Sequence, residues 1–90
     1  MGVPIAIGME VNIMKVTVLF FGVLTDVAGS SLKVYEDVKT LEHLKMRIAD
    51  DYPETVHYSF RMAVNNEISD EDTTLKDGDE VAFLPPFAGG

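Results

Sequence analysis

The final residues, Phe83-Leu84-Pro85-Pro86-Phe87-Ala88-Gly89-Gly90, set two glycines at the carboxyl end, behind an apolar segment. Without a Cβ, such a pair can follow a narrow channel, take backbone angles barred to other residues and leave the terminal acyl carbon unhindered. The chemistry this suits is activation and transfer at the α-carboxylate of Gly90, with Gly89 letting the tail thread. Pro85 and Pro86 fix φ at two successive positions and project the tail stiffly before the glycines loosen it. Composition and spacing alone leave a second reading open, in which Gly89-Gly90 is only a frayed chain end.

Little else in the chain offers chemistry. There is no cysteine, which excludes disulfides, thiolate metal sites and a thiol nucleophile. His43 and His57, without thiolates or a suitable carboxylate spacing, do not make a metal site, and both read as solvated. Asp70-Glu71-Asp72 resembles the start of a calcium loop, but the glycine and closing glutamate of that pattern are out of place, so it reads as an exposed turn. Arg47 reads as a surface residue. No phosphate-binding glycine loop and no Ser-His-Asp set emerges. Fifteen acidic against seven basic residues give a net charge of −8, which opposes nucleic acid and anionic membrane and favours a partner with a basic surface.

Ninety residues fit one small domain with a modest core. Residues 1–13 are apolar but lack Lys and Arg, carry Glu10 and are too short to span a bilayer, so they read as neither signal nor anchor. They form a leader or an extra edge strand, and the protein is expected in the cytoplasm. Ala6 stands where a myristoylation pattern wants Ser or Thr.

The elements that must position the tail begin at Lys15. Lys15–Phe21 is rich in β-branched and aromatic residues and ends at Gly22, which predicts a central strand. Alternation sends Val16, Val18 and Phe20 to one face and Thr17, Leu19 and Phe21 to the other. The second face is more apolar than water requires: Leu19 and Phe21 meet a partner, or the leader or a loop covers them. Val23–Ala28 before Gly29 predicts one short helical turn, and Leu32-Lys33-Val34-Tyr35 a second strand, antiparallel to the first. Thr40 caps a helix with Glu42 in its first turn and Leu41, Leu44 and Ile48 on one stripe; Tyr52 extends the stripe and Pro53 ends the helix. Phe60–Val64, a turn at Asn65-Asn66 and a strand at Glu67-Ile68 make a second hairpin. A tight turn at Thr74–Asp79 leads into the last strand, Glu80–Leu84. The order ββαβββ in so short a chain predicts an α+β domain over 14–84: a mixed sheet with parallel first and last strands in the middle and one main helix across one face. This is the β-grasp, ubiquitin-like arrangement, with 85–90 as an extended tail.

With Lys15–Gly22, Ala63-Val64-Asn65, Asp77-Gly78-Asp79-Glu80-Val81-Ala82-Phe83 and the ending Pro-Pro-x-x-Gly-Gly, Met14–Gly90 resembles the small subunits of molybdopterin synthase, a family of ubiquitin-like sulfur carriers. The resemblance implies a cycle. A ubiquitin-activating-like adenylating enzyme uses ATP on the Gly90 carboxylate, a sulfur donor displaces the adenylate, and the resulting thiocarboxylate enters the large synthase subunit. There it gives sulfur to a cyclic pyranopterin monophosphate. No cofactor is bound, and the chain is formally a transferase subunit whose own side chains catalyse nothing. The implied assembly is a heterotetramer of two small and two large subunits. Within it Pro85 and Pro86 set the tail's exit, Phe87 anchors in an apolar slot or folds back on the body, and Leu19, Phe21 and Leu84 are candidates for the docking face. The thiamin-thiazole carrier, a tungsten-cofactor carrier and a lysine-joined protein modifier share the fold and the Gly-Gly ending. From another class comes a β-grasp interaction module with an inert tail. The leader 1–13 is the departure from the family pattern; it bears on the N-terminal edge and on self-association.

Overall fold

A computed structural model describes residues 13–69 and 71–85. Strand β1 spans Lys15–Phe20, one residue less than its composition suggested, because Gly22 at φ 61° and ψ −138° turns the chain away just after Phe21. Its alternation behaves as expected: Val16, Val18 and Phe20 are all within 2% of full burial, whereas Thr17 and Leu19 are half-buried.

Helix α1 spans Val23–Ala28, the bounds expected from the sequence, and closes on Gly29, whose φ of 72° lets its N–H reach Thr25 O at 2.9 Å. Strand β2, Leu32–Glu36, pairs antiparallel with β1. Helix α2, Leu41–Asp51, is capped by the Thr40 hydroxyl, which accepts from His43 N at 3.1 Å. Its other leading amides are also satisfied, Leu41 N by Thr73 O and Glu42 N by an Asp72 carboxylate oxygen at 3.0 Å. Leu41, Leu44 and Ile48 bury the apolar stripe. Pro53 cannot continue the ladder and instead opens a 3₁₀ turn, Pro53–His57.

Strand β3 spans Arg61–Val64 and β4 Glu67–Ser69. Asn65 and Asn66, at φ 50° and 74°, make the two-residue turn between them. Phe60, expected in the strand, stands just before it and lays its ring 4.9 Å from that of Phe83. Strand β5, Glu80–Leu84, inserts between β1 and β3, giving the order β2-β1-β5-β3-β4 with only β1 and β5 parallel. This is the β-grasp expected from the element order, with the core between the sheet and α2.

Two loops fix how β5 enters. Asp77 accepts from Lys15 N at 2.8 Å through a carboxylate oxygen, and Gly78 N donates to Lys15 O at 2.8 Å. Asp79 accepts from Lys76 N and from the Asn65 side-chain amide, at 2.8 and 2.9 Å. The Asn65 side-chain oxygen in turn accepts from Glu80 N at 3.0 Å. The Asp-Gly-Asp segment thus ties the start of β1, the β3–β4 turn and the start of β5 together, at the end of the sheet opposite the tail.

Candidate functional site

The site has two described parts, the root of the tail and the sheet face turned away from α2. Gly89, Gly90, Pro86 and Phe87 lie outside the described residues, as do residues 1–12 of the leader.

At the root, Phe20 and Phe83 sit side by side in the parallel pair with ring centroids 5.9 Å apart, and both are buried. Phe21 N then donates to Phe83 O at 3.3 Å. The rung stops at Pro85, which has no N–H to give. Pro85 is half-buried because it rests on Gly22: a Cβ built there would lie 2.8 Å from Pro85 Cγ. Gly22 therefore serves two needs at once, a positive φ that starts α1 and a bare backbone for Pro85 to lie against. The start of α1 is held by Thr25, whose hydroxyl donates to Phe20 O at 3.1 Å and whose N–H donates to Gly22 O. The direction in which the chain leaves β5 is thus set by the turn that ends β1.

The open face follows from register. Leu19 stands opposite Leu32 and beside Ala82, and Thr17 stands opposite Val34 and beside Glu80. Ala63 lies between Ala82 and Ile68, and Arg61 pairs with Leu84. Phe21, Leu32, Val34 and Ile68 are 45, 51, 47 and 48% exposed, whereas Leu19, Ala82 and Leu84 are half-buried. The structure thus brings Leu19, Phe21 and Leu84 to one face, as their parity required, and that face reaches the tail root. Leu32, Val34 and Ile68, which the sequence reading did not single out, lie on the same face. The signal was present in the alternation of Leu32-Lys33-Val34-Tyr35, but only pairing with β1 shows that its outward members join Leu19.

On the helix side of the sheet, Tyr35 is buried and donates its hydroxyl to an Asp51 carboxylate oxygen at 2.7 Å. Burial first, then that hydrogen bond and the Asp51 charge, push the phenol well above its usual range. Lys33 and Arg47 lie over the Tyr35 ring at 5.8 and 5.6 Å. His43 does not face solvent alone, since its Nδ1 accepts from Lys39 N at 3.4 Å. Among the described residues no three His, Cys, Asp or Glu side chains gather as metal ligands, and no helix is long and apolar enough to cross a membrane.

Comparison with known proteins places this geometry. The model of the ThiS family matches residues 18–90. A molybdopterin synthase sulfur carrier subunit of Mycobacterium tuberculosis is 36% identical over 81 residues, covering 84% of this chain and 98% of that one. Among solved structures, subunits 1 and 2 of the molybdopterin-converting factor of Helicobacter pylori, determined as a complex, include a chain 29% identical at a TM-score of 0.64, covering 86% of this chain and 100% of that one. Small archaeal modifier protein 1 of Methanosarcina acetivorans, 23% identical with a TM-score of 0.73 over 89% of this chain and 100% of its own, shares the fold. The resemblance read from Lys15–Gly22, Asp77–Phe83 and the Gly-Gly ending is borne out, and the chain belongs to the ThiS family.

Proposed function

We propose that this chain is a sulfur carrier of molybdenum cofactor biosynthesis, loaded at Gly90. The observation that carries the reading is a family match that runs through the tail to Gly90, alongside a relative named as a sulfur carrier subunit and matched over nearly its whole length. In the proposed cycle the Gly90 carboxylate attacks the α-phosphate of ATP on an adenylating enzyme, and pyrophosphate leaves. A sulfide-level donor then attacks the acyl carbon and AMP leaves, giving the thiocarboxylate. After the sulfur passes to a pyranopterin acceptor, water returns Gly90 to a carboxylate. ATP and reduced sulfur both belong to the cytoplasm, which is where this reading puts the protein.

Each part of the chain has a place in that cycle. Gly89 and Gly90 thread the tail, Pro85 and Pro86 direct it and Phe87 anchors it. Leu19, Phe21 and Leu84 dock the body on a large synthase subunit, in a heterotetramer of two small and two large chains. A complex of the two subunits is what the Helicobacter pylori structure contains. The net charge of −8 supports a partner with a basic surface and a salt-dependent encounter.

The test is intact-protein mass spectrometry after incubation with a matching adenylating enzyme, ATP and sulfide. The expected result is the mass gain of one oxygen replaced by sulfur, localised to Gly90 by fragmentation and lost in Gly90→Ala. An unchanged carboxylate, with an enzyme competent on a known carrier, returns the chain to an interaction module with an inert tail.

A further inference from the structure

The edge strands of a sheet present backbone groups that a further strand could join. One edge here is β4, which at three residues offers little length. The other is β2, five residues without proline and in unbroken register with β1. The ladder shows which of its residues face outward. Phe20 N donates to Ser31 O at 3.0 Å and Asp37 N to Met14 O at 2.8 Å, so Ser31, Lys33, Tyr35 and Asp37 turn their backbone groups toward β1. Leu32, Val34 and Glu36 turn theirs away from the sheet.

Two side chains occupy most of that outward row. The Ser30 hydroxyl accepts from Leu32 N at 3.2 Å and donates to Leu32 O at 2.8 Å. At the other end of the strand Arg47 Nη1 reaches across from α2 and donates to Glu36 O at 3.3 Å, its guanidinium 5.6 Å from the centre of the Tyr35 ring. Arg47, which reads from the sequence as a surface residue, thus has a defined task at the sheet edge. Among the described residues nothing meets the N–H or the carbonyl of Val34.

We infer that Ser30 and Arg47 keep β2 from pairing with a second copy of this chain. The strand is otherwise suited to itself. A two-fold antiparallel pairing centred on Val34 gives the longest overlap, and it sets Val34 against Val34, Leu32 against Glu36 and Lys33 against Tyr35. No like charges stand opposite one another in that register. Yet every rung between Leu32 and Glu36 needs a group that Ser30 or Arg47 already holds, and only the rungs between the Val34 residues are left. So few bonds do not offset the cost of association. Repulsion between chains of net charge −8 acts in the same direction, but salt screens it.

The test compares the full-length chain with a double variant, Ser30→Ala with Arg47→Met, in which methionine keeps an apolar stem over Tyr35 and loses the donors. Sedimentation equilibrium in high salt gives the mass, and amide hydrogen exchange reports on Val34. Expected is a parent that stays at 9.9 kDa and a variant that dimerises as its concentration rises. Exchange at the variant's Val34 amide slows about tenfold once about nine-tenths of the chains are paired, because it then waits on the unpaired remainder. A parent that dimerises in high salt, a variant that stays monomeric, or a dimer whose Val34 amide exchanges freely overturns the inference. So does a Val34 amide protected in the dilute parent, which would put another part of the chain on this edge. If the double variant unfolds, Ser30→Ala alone, at an exposed position, still releases both Leu32 groups, and its staying monomeric overturns the inference equally. None of these readouts involves Gly90 or another protein, so the carrier reading stands or falls separately.

Discussion

Phe21 lies where the open face meets the tail root, and its truncation separates docking from loading. A phenylalanine side chain carries about 200 Å² of surface, so 45% exposure leaves about 90 Å² for a partner to cover. At 25 cal/mol/Å² that area is worth about 2 kcal/mol, or about thirtyfold in Kd. The remaining area is buried within the chain, so Phe21→Ala also lowers folding stability by about 2–3 kcal/mol, and urea denaturation must first show that the variant is folded. The assay is calorimetric titration into the large subunit at low and high salt. The thirtyfold factor should hold at both salt concentrations, because an apolar contact is not screened, while the affinity of both chains falls with salt as the attraction of an acidic chain is screened. A change under about threefold in a folded variant would take Phe21 out of the interface and undo the assignment of the open face.

Two further outcomes follow from contacts near the root and in the core. Gly22→Ala places a Cβ against Pro85 at a positive φ and should cost about 1–3 kcal/mol, with Pro85→Ala in the same chain recovering part of that loss; strictly additive losses in urea denaturation would refute the contact. Tyr35 titrates higher in the folded chain than in the unfolded one, so the stability it supports is fully present below about pH 10 and is lost as the pH rises through the folded value. Tyr35→Phe should therefore cost about 1–2 kcal/mol at neutral pH, with the gap to the parent narrowing above pH 10; a gap constant from pH 7 to 11 would refute the linkage.

Features carried by neighbouring residues were legible in the sequence. The burial of Val16, Val18 and Phe20 is a matter of period, the Thr40 cap spans three residues, and the Asn65-Asn66 turn needs only two side chains that tolerate positive φ. Contacts between distant segments were not legible. Asp72 caps α2 across thirty residues and Asp77 holds Lys15 across sixty-two, and no local pattern distinguishes either from another exposed acid. Leu32 and Val34 looked like ordinary outward positions of an edge strand until the register set them opposite Leu19 and Thr17.

The same division explains why one family pattern contains two unlike pieces. Asp77-Gly78-Asp79 reads as a signature, yet its carboxylates act at the end of the sheet far from the tail, where they hold the first residues of β1 and β5 together. What they control at the other end is register. Thr17 stands against Glu80 and Phe20 against Phe83, so Pro85 arrives at Gly22, the position that can receive it. A slip of one residue would turn Phe83 out of the core, bring Leu84 in, and lift the tail root off its support. The acids that resemble a surface turn thus govern where Pro85 meets Gly22, and their loss would reach the root of the tail through the parallel strand pair.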